Sequence, residues 1–424
     1  MSDRRFVHAI LAIVYVVFLA RLLESPSVAD DWPRFRGPNG DGKTSDTSLP
    51  VEWGDEKNLK WKLKLPGAGF SSPIVVGDTV FVTAYSGSGN NVKRHVISVD
   101  REKGSINWTK STDGVSDGGE PGFAYHGQAS HTPVCDGERL YAMLGSSGIK
   151  AYDLAGNELW HHDLGNERSA RFGTASSPIL YGDLLIVTAG SESESIRAFN
   201  KVTGEEVWKA QAGSLSQSYS TPLLVTASDG VEHLVHSVAF ELWGMNPKTG
   251  KLIWYAETKV DTAACPSVLA DNDIVYVIGG RSGGRAAIKL GSQEDVASGK
   301  DITAKNTVWS ESGGSYVPSP VLYEEKLYWI NDQGVGMCVD TKTGEEVARK
   351  RIGGRYYASV LLAGDKLYAV SRFDGTRVFK ISPEFQEIAH NTLSDESDFS
   401  ASPAASNGQL FIRSDEALYC IAQE

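Results

Sequence analysis

The segment HGQASH (126–131) carries two histidines, side chains that titrate near neutral pH and can bind metals or transfer protons. Glu120 and Tyr125 precede it and add a carboxylate and a phenol. The five-residue spacing of the histidines matches no common metal-binding pattern. Tyr125, His126 and His131 are therefore predicted as candidate binding residues, with hydrogen-bonded packing of the loop as the alternative. No catalytic residue and no metal ligand is predicted.

A second set of candidates precedes the inner strands of the repeats described below, and its members are aromatic or cationic. The set comprises Arg171, Tyr219, Tyr316, Arg355, Tyr356 and Phe399. Such side chains around a funnel would suit a planar anion, a sugar or a peptide strand. Packing between repeats is the alternative interpretation.

The residues GPNGDGKT (37–44) match the phosphate-loop pattern GxxxxGK[ST]. A phosphate loop needs a buried strand before it and a helix after it, because the helix N-terminus faces the phosphates. Residues 45–50 show no helical periodicity. We therefore predict an extended arm here and no nucleotide site.

The four cysteines are far apart in the sequence, and no CxxC or CxxCH motif occurs. They are Cys135, Cys265, Cys338 and Cys420. Their spacing fits no zinc pattern, and no disulfide pairing can be assigned. We predict that they are small apolar residues in buried strands.

Two short phrases alternate along the chain and define a repeat. The first is a hydroxyl residue, Pro and an apolar hairpin, as in SSPIVVGDTVFVTA (71–84). The second ends in tryptophan, as in AFNKVTGEEVW (198–208). Eight first phrases occur at roughly the 40–45-residue spacing of propeller blades. Two longer steps are explained by predicted insertions at 109–128 and 291–306.

Each repeat accommodates four short strands joined by turns that contain glycine, which is the content of a propeller blade. One blade cannot bury both of its faces, whereas eight blades around an axis bury each face against a neighbour. The predicted fold is therefore an all-β, eight-bladed β-propeller with four-stranded antiparallel blades. The tryptophans that end the second phrases are predicted to pack between blades.

The last repeat ends at ALYCIAQE (417–424) and is one strand short. The segment NLKWKLKLP (58–66) precedes the first repeat, and its Trp61 matches the tryptophan of an outer strand. We predict that this N-terminal strand completes the eighth blade and closes the ring, which removes an exposed sheet edge.

The chain has 424 residues, 41% of them hydrophobic, and a formal net charge of -12. The apolar fraction is sufficient for a large core. The negative charge argues against nonspecific binding to nucleic acid, because phosphates would be repelled. No nucleic-acid partner is predicted.

The N-terminus predicts export. Arg4 and Arg5 precede the apolar run 9–20, and Ser27-Val28-Ala29 provides small residues for a signal peptidase. Cleavage is predicted after Ala29. An uncleaved signal anchor is the alternative, because apolar residues continue beyond the run.

Three segments follow from these patterns. Residues 1–29 are a signal peptide or signal anchor, residues 30–57 are an extended N-terminal arm, and residues 58–424 are the propeller. The expected location is periplasmic or envelope-associated, with membrane contact only through the N-terminal segment.

The phrases A-x-D-x-x-T-G-x-x-x-W and S-S-P-x-x-x-x-D resemble the tryptophan-docking repeats of PQQ-dependent quinoprotein dehydrogenases. They are equally similar to those of BamB, the propeller lipoprotein of outer-membrane barrel assembly. The opening DWPRFRGPNGDG (31–42) is similar to the mature start of PQQ-like propeller proteins of planctomycete-type bacteria. The resemblance covers residues 31–424; it implies the propeller fold and leaves the activity open.

Two departures from these families decide the predicted function. A quinoprotein alcohol dehydrogenase would carry a vicinal cysteine pair, and a BamB-type lipoprotein would carry a cysteine soon after the signal region. Neither feature occurs, since the first cysteine is Cys135. We therefore predict an exported binding or scaffolding propeller, non-catalytic and without a cofactor.

Its expected partners are envelope proteins or a small ligand in the central channel. The alternative function is an oxidoreductase that uses PQQ with calcium in the central funnel. A hydrolase or lyase acting on polysaccharide is a third hypothesis.

Overall fold

A computed structural model describes residues 31–114, 128–165, 172–292, 295 and 300–423. These residues form eight sheets, and within each sheet successive strands pair in antiparallel fashion. The predicted eight-bladed β-propeller is therefore confirmed. No helix in the described part of the chain is long and apolar enough to cross a membrane.

We number the blades 1 to 8 and the strands β1 to β33 along the chain. Blade 1 contains β3 (Ile74–Val76), β4 (Thr79–Ser86), β5 (Val92–Asp100) and β6 (Ile106–Gly114), and blade 2 contains β7 (Val134–Cys135), β8 (Arg139–Met143), β9 (Ile149–Asp153) and β10 (Glu158–His162). Blade 3 contains β11 (Ile179–Tyr181), β12 (Leu184–Ala189), β13 (Ser195–Asn200) and β14 (Glu206–Gln211), and blade 4 contains β15 (Leu223–Thr226), β16 (Glu232–Val238), β17 (Glu241–Met245) and β18 (Leu252–Glu257).

Blade 5 contains β19 (Leu269–Asp271), β20 (Ile274–Gly279), β21 (Gly284–Lys289) and β22 (Thr307–Ser312), and blade 6 contains β23 (Val321–Tyr323), β24 (Lys326–Ile330), β25 (Val335–Asp340) and β26 (Glu346–Arg351). Blade 7 contains β27 (Leu361–Ala363), β28 (Lys366–Val370), β29 (Thr376–Lys380) and β30 (Gln386–Asn391), and blade 8 contains β31 (Ala404–Ser406), β32 (Gln409–Arg413) and β33 (Ala417–Ala422). The arm supplies β1 (Lys43–Thr44), and β2 (Leu59–Lys64) follows the arm and belongs to blade 8. Short helices lie at α1 (Gly190–Ser193) and α2 (Thr303–Asn306), and 3₁₀ turns at Gly89–Asn91, Gly145–Ser147 and Gly213–Gln217.

Burial decreases from the middle of each blade to its outer edge. All five residues of β32 are buried, because the middle strands contact neighbouring blades on both faces. The outer strand β6 instead alternates between exposed and half-buried residues. The apolar and alternating patterns of the sequence therefore correspond to inner and outer positions of a blade.

Tryptophans on the outer strands dock onto the next blade, as predicted. The indole N–H of Trp108 donates to the Leu154 carbonyl at 3.0 Å. Its ring lies on Gly156, where an added Cβ would stand 2.8 Å from the indole. Only glycine permits this contact. Four more tryptophans make the same bond to the next blade: Trp61, Trp160, Trp208 and Trp309.

Trp254 of blade 4 also packs against the next blade, as predicted, but it lacks the hydrogen bond to that blade. Its indole N–H lies 3.3 Å from Nδ1 of His233 in its own blade. The ring instead packs on Gly291, in the insertion of blade 5. That insertion also pairs with the outer strand of blade 4 through Tyr255 and Asp301. It therefore covers Trp254, whereas a turn of the next blade covers the other outer-strand tryptophans.

Blade 8 combines the N-terminal and C-terminal parts of the described chain. β2 pairs antiparallel with β33, and Trp61 lies opposite Cys420. The indole N–H of Trp61 donates to the Arg101 carbonyl of blade 1 at 2.8 Å. The predicted closure by the N-terminal strand is confirmed, and β33 has a neighbour on both sides.

The arm crosses one face of the ring, which we call the arm face. Trp32 pairs with Val75 of blade 1, and Asp46 accepts a hydrogen bond from the Gly408 amide in a turn of blade 8. Between these contacts, Lys43 pairs with Leu362, so β1 adds a fifth, parallel strand to blade 7. A strand, not a helix, therefore follows the glycine-rich loop, which agrees with the rejection of a phosphate loop.

The first insertion is shorter than predicted. The sequence assigned it to residues 109–128, but β6 continues to Gly114 and pairs with β5 along its length. Polar residues such as Thr109 and Lys110 alternate on this exposed outer strand, which explains why they looked like a loop.

All four cysteines are free, as the prediction of small apolar residues requires. Three of them, Cys135, Cys338 and Cys420, are buried in strands. For Cys265 the prediction is wrong, because this residue is half-buried and precedes an inner strand.

Candidate functional site

A central funnel of about 500 Å³ opens on the face opposite the arm, which we call the mouth face. Its wall consists of residues two and four positions before each inner strand, because each inner strand begins beside the axis. The residues four positions before are Phe70, Ser130, Ala175, Tyr219, Cys265, Val317, Tyr357 and Ser400.

Seven hydroxyl residues, one from each blade except blade 5, stand two positions before the inner strands and form what we call the hydroxyl ring. They are Ser72, Thr132, Ser177, Thr221, Ser319, Ser359 and Ser402. Each hydroxyl oxygen accepts the backbone N–H of the equivalent residue in the preceding blade at 2.9–3.1 Å. These bonds connect the blades around the axis.

The hydroxyl ring is interrupted between blades 4 and 5. Ser267 is the equivalent residue of blade 5, but its buried hydroxyl has no hydrogen-bond partner among the described residues. In blade 5 the proline precedes the serine, as Pro266-Ser267, whereas blade 1 has Ser72-Pro73. The reversed order of proline and serine is the feature of the sequence that marks the interrupted hydroxyl ring.

The hydroxyl ring presents O–H donors to the funnel. Each of the seven oxygens uses a lone pair for the N–H of the preceding blade, and none of them donates its own proton to a described protein acceptor. Among the described residues that line the funnel there is no Asp, Glu, Asn, Gln or His. The described lining therefore offers O–H donors and contains no carboxylate or side-chain amide that would bind their protons.

Aromatic rings surround the funnel above the hydroxyl ring. They belong to Phe70, Phe172, Tyr219, Tyr316 and Tyr357. Arg281, in the turn between β20 and β21, holds its guanidinium 5.7 Å from the ring centroids of both Phe172 and Tyr316. Within the described chain no carboxylate pairs with Arg281, and its side chain is exposed. Its charge is available to a ligand.

The second arginine of the funnel is already paired. Arg372, in the turn between β28 and β29, donates from Nε to both carboxylate oxygens of Asp398 at 3.1 Å. Its guanidinium stacks on Tyr357, 4.3 Å from the ring centroid. Arg372 therefore fixes the mouth of the funnel and leaves Arg281 as the unpaired cation of the described lining.

Phe35 of the arm forms the floor of the funnel. The arm is held there because the Cys135 amide donates to the Pro33 carbonyl at 2.9 Å. Arg36 is buried and donates to the carbonyls of Asp41, at 2.8 Å, and Pro320. Burial lowers the pKa of Arg36 to about 10, which still leaves it protonated at neutral pH. The arm thus makes the central channel a cup closed at one end.

Burial keeps the phenols and the thiol of the funnel protonated. Desolvation raises the pKa of Tyr316 and of Cys265 to about 12. It also raises the pKa of Tyr219 and of Tyr357. Neither a thiolate nor a phenolate is therefore available as a nucleophile at neutral pH, and the tyrosines add O–H donors to the wall.

A family model described as outer membrane protein assembly factor BamB matches residues 45–172 and 186–392, which is most of the chain. The chain belongs to this family. A solved structure of BamB from Moraxella catarrhalis superposes with a TM-score of 0.60 at 14% identity, covering 86% of this chain and 97% of that chain. A europium-containing methanol dehydrogenase superposes with a TM-score of 0.68 at 11% identity, covering 92% and 98%. At such identities the likeness shows the fold alone.

One curated relative of this BamB-family chain is the tetrathionate hydrolase of Acidithiobacillus ferrooxidans, 22% identical over 354 residues. The match covers 74% of this chain and 65% of the length of the relative. The BamB-family chain thus spans less than two thirds of that hydrolase.

Two of the residues predicted from the sequence, Tyr219 and Tyr316, line the funnel of the BamB-family propeller. Arg355 is exposed but does not line it, and its carbonyl accepts the Arg372 amide at 2.8 Å. Tyr356 and Phe399 are buried in the cores of blades, where Phe399 packs 5.8 Å from the ring of Tyr419. Tyr125, His126 and Arg171 lie outside the described residues.

His131 is buried behind the funnel wall. Its Nδ1 donates to the Ser176 carbonyl at 2.5 Å, and its Nε2 lies 3.0 Å from the Thr174 hydroxyl. The Glu192 carboxylate is 3.6 Å from Nε2, and both side chains are 2% exposed. These contacts connect blades 2 and 3, so the structure places His131 in blade packing and not in the lining.

Sequence reasoning missed Arg281, Arg372, Phe35 and the hydroxyl ring. The two arginines lie in hairpin turns of the mouth face, not before an inner strand. The hydroxyl residues were visible as a recurring Ser or Thr before Pro. That recurrence was read as a repeat marker, although hydroxyls repeated at an axial position also indicate a ring of donors.

The described residues do not fit a metal-bound quinone. Calcium and similar hard cations require carboxylate and carbonyl oxygens, and the described lining of the funnel contains no carboxylate. No group of three or more His, Cys, Asp or Glu occurs in the described part of the chain.

Proposed function

We propose that this BamB-family propeller is an exported, non-catalytic binding protein, with a small ligand in its funnel and envelope proteins as partners. The observation that carries the proposal is the closed cup lined by aromatic rings and protonated hydroxyls. Such a lining suits binding, because recognition needs shape and a few polar groups. Acid–base or nucleophilic catalysis would need a group that titrates near neutral pH.

Exposed phenylalanines on the mouth face support a protein partner. Phe373 is 62% exposed and Phe240 is 55% exposed, each in a hairpin turn of this face. Exposed aromatic side chains are enriched where proteins bind one another. The family description names outer membrane assembly, so an envelope protein is the partner we propose.

The partner is tested by affinity capture from envelope extract with three forms of the protein. Phe373→Ser removes the exposed ring, and Val347→Ser, on the outer strand β26, is the matched control, 44% exposed. We expect one envelope protein to be retained by wild type and by Val347→Ser, and lost with Phe373→Ser. Equal capture by all three forms, or by none, would contradict a partner on the mouth face.

Export is tested by N-terminal sequencing of the protein recovered outside the cytoplasm. The proposal expects the mature chain to begin at Asp30, because cleavage follows Ala29. Retention of residues 1–29 in the membrane fraction would favour the signal anchor, and recovery only from the cytoplasm would refute export.

The oxidoreductase alternative predicts that PQQ with calcium raises the melting temperature, since a ligand of the native state stabilises it. We expect calcium to add no shift beyond that of PQQ alone, and no turnover of alcohols or of tetrathionate. Turnover of either substrate would refute a non-catalytic role.

A further inference from the structure

We infer that the ligand of the funnel is a small aromatic carboxylate. This inference rests on the proposed binding function and adds the chemical class of the ligand. It combines the hydroxyl ring, whose protons are free to donate, the aromatic wall and the guanidinium of Arg281, which has no carboxylate partner among the described residues.

The hydroxyl ring selects ligands that accept hydrogen bonds. Each ring oxygen is already polarised by an incoming N–H, and an accepted bond strengthens the O–H as a donor. A neutral sugar would bring as many donors as acceptors, and its hydroxyl protons would find no carboxylate or amide in the described lining. A carboxylate brings only acceptors. Because the described lining supplies O–H donors and holds no carboxylate or side-chain amide, it favours a carboxylate over a sugar.

Charge favours the same ligand. Although the chain carries a net charge of -12, the described funnel lining holds two arginines and no acid. Arg372 is paired with Asp398, whereas among the described residues Arg281 contacts the faces of Phe172 and Tyr316 and no carboxylate. A guanidinium in this setting can bind a carboxylate with two parallel hydrogen bonds.

The aromatic wall and the volume of the funnel restrict the shape and the size of the ligand beyond its carboxylate. Rings of Phe70, Tyr219 and Tyr357 complete an aromatic collar between Arg281 and the hydroxyl ring. Aromatic side chains stack on planar ligands. Phe35 closes the floor, so a volume of about 500 Å³ accommodates one small molecule and not a threaded chain.

The test is isothermal titration calorimetry of the full protein with three probes of similar size. Isophthalate has the charge and the ring, isophthalamide has the ring alone, and cyclohexane dicarboxylate has the charge without aromaticity. We expect isophthalate to bind at least about tenfold more tightly than either of the other probes, and more weakly as salt is raised.

Two variants assign the binding to the proposed groups. Arg281→Gln is expected to weaken isophthalate binding by roughly tenfold or more, whereas Arg351→Gln, on the exposed strand β26, leaves it unchanged. Thr221→Val removes one O–H donor of the ring, and we expect a several-fold loss that Thr221→Ser restores. The Ser variant separates loss of a donor from a general packing defect.

The outcomes separate this inference from the proposed function. Equal affinity for isophthalate and isophthalamide would overturn the anionic class while leaving a binding funnel. Binding of isophthalate that survives Arg281→Gln unchanged would also overturn it. If no probe binds but Phe373→Ser still loses its envelope partner, the inference fails and the proposed function stands.

Discussion

Two seams of the ring, between blades 8 and 1 and between blades 4 and 5, differ in how their blades are joined. At the first seam the Ser402 amide donates to Ser72 at 3.1 Å, which closes the hydroxyl ring. Trp61 docks on blade 1, and Arg101 of blade 1 donates to Gln409 of blade 8 at 2.6 Å. This seam borders blade 8, which contains strands from both ends of the described chain. It has the hydroxyl bond, the tryptophan contact and the arginine contact.

The seam between blades 4 and 5 lacks two of these contacts. Among the residues that the structure describes, the Ser267 hydroxyl has no partner, and Trp254 donates within its own blade. In their place the insertion of blade 5 pairs with the outer strand of blade 4, where the Tyr255 amide donates to the Lys300 carbonyl at 2.9 Å and the Ile302 amide donates to the Tyr255 carbonyl at 3.0 Å.

The difference shows that the seams of one propeller can be joined by different bonds. Between blades 8 and 1 a hydroxyl joins the blades at the funnel. Between blades 4 and 5 the Tyr219 amide donates to the Ala264 carbonyl at 2.9 Å there, and the insertion adds bonds at the rim. The hydroxyls that join blades at the axis are also the donors that face the ligand. At seven blades the same hydroxyl residue therefore joins neighbouring blades and faces the ligand. Blade 5 has no described residue with both roles.

The largest loss of stability is expected from Trp61→Ala. Replacing a buried aromatic side chain with alanine costs about 3–5 kcal/mol of unfolding free energy, because packing is lost and a cavity remains. Urea denaturation measures this cost, with Val207→Ala on the exposed face of β14 as the control. A cost below about 1 kcal/mol for Trp61→Ala would show that closure does not depend on this residue.

Arg101→Met is expected to cost about 2–4 kcal/mol, because it leaves the buried acceptors of blade 8 without donors. Arg101 is 4% exposed and also donates to the Ser406 carbonyl at 2.6 Å. The melting temperatures of Arg101→Met and of Arg351→Met, an exposed control, give the comparison. Equal melting temperatures of the two variants would show that Arg101 does not stabilise the seam.

A matched pair of alanine variants compares the two seams directly. Ser402→Ala deprives the Ser359 amide of its acceptor and should cost about 1–2 kcal/mol. Ser267→Ala removes a hydroxyl that has no partner in the described part of the chain, and it should change stability by less than about 0.5 kcal/mol, in either direction. Equal costs, measured by urea denaturation, would contradict the interruption of the ring.

The smallest effect is a dependence on acidic pH. Hydrogen bonds from Ser397, Tyr419 and Ser414 outweigh the desolvation that acts on Asp395 and lower its pKa to about 2. A lowered carboxyl pKa contributes stability above the unfolded value near 4, and that stability is lost as the pH falls toward 2. Asp395→Asn should therefore flatten the stability profile between these pH values. An unchanged slope in Asp395→Asn would assign the effect to other carboxylates.

The fold was predictable because its signals repeat. The hydroxyl-Pro phrase recurs eight times with variation, and the unmatched Trp61 strand identified the closure. The site was less predictable, because its chemistry comes from positions without a repeated signal. Arg281 and Arg372 each occur once, in turns, and Phe35 belongs to the arm outside the repeat. His131 was misleading because it occupies a repeated position, where it joins blades.

Hydrogen exchange of the amides that form the hydroxyl ring tests the difference between the seams most directly. Protection of the Ser402 amide should match that of the Thr132 amide, since each donates to a hydroxyl of the next blade. The Thr221 amide, for which no acceptor at Ser267 is available, should exchange at least about tenfold faster. Equal protection of the Thr221 and Ser402 amides would contradict a ring that is closed at blade 8 and open at blade 5.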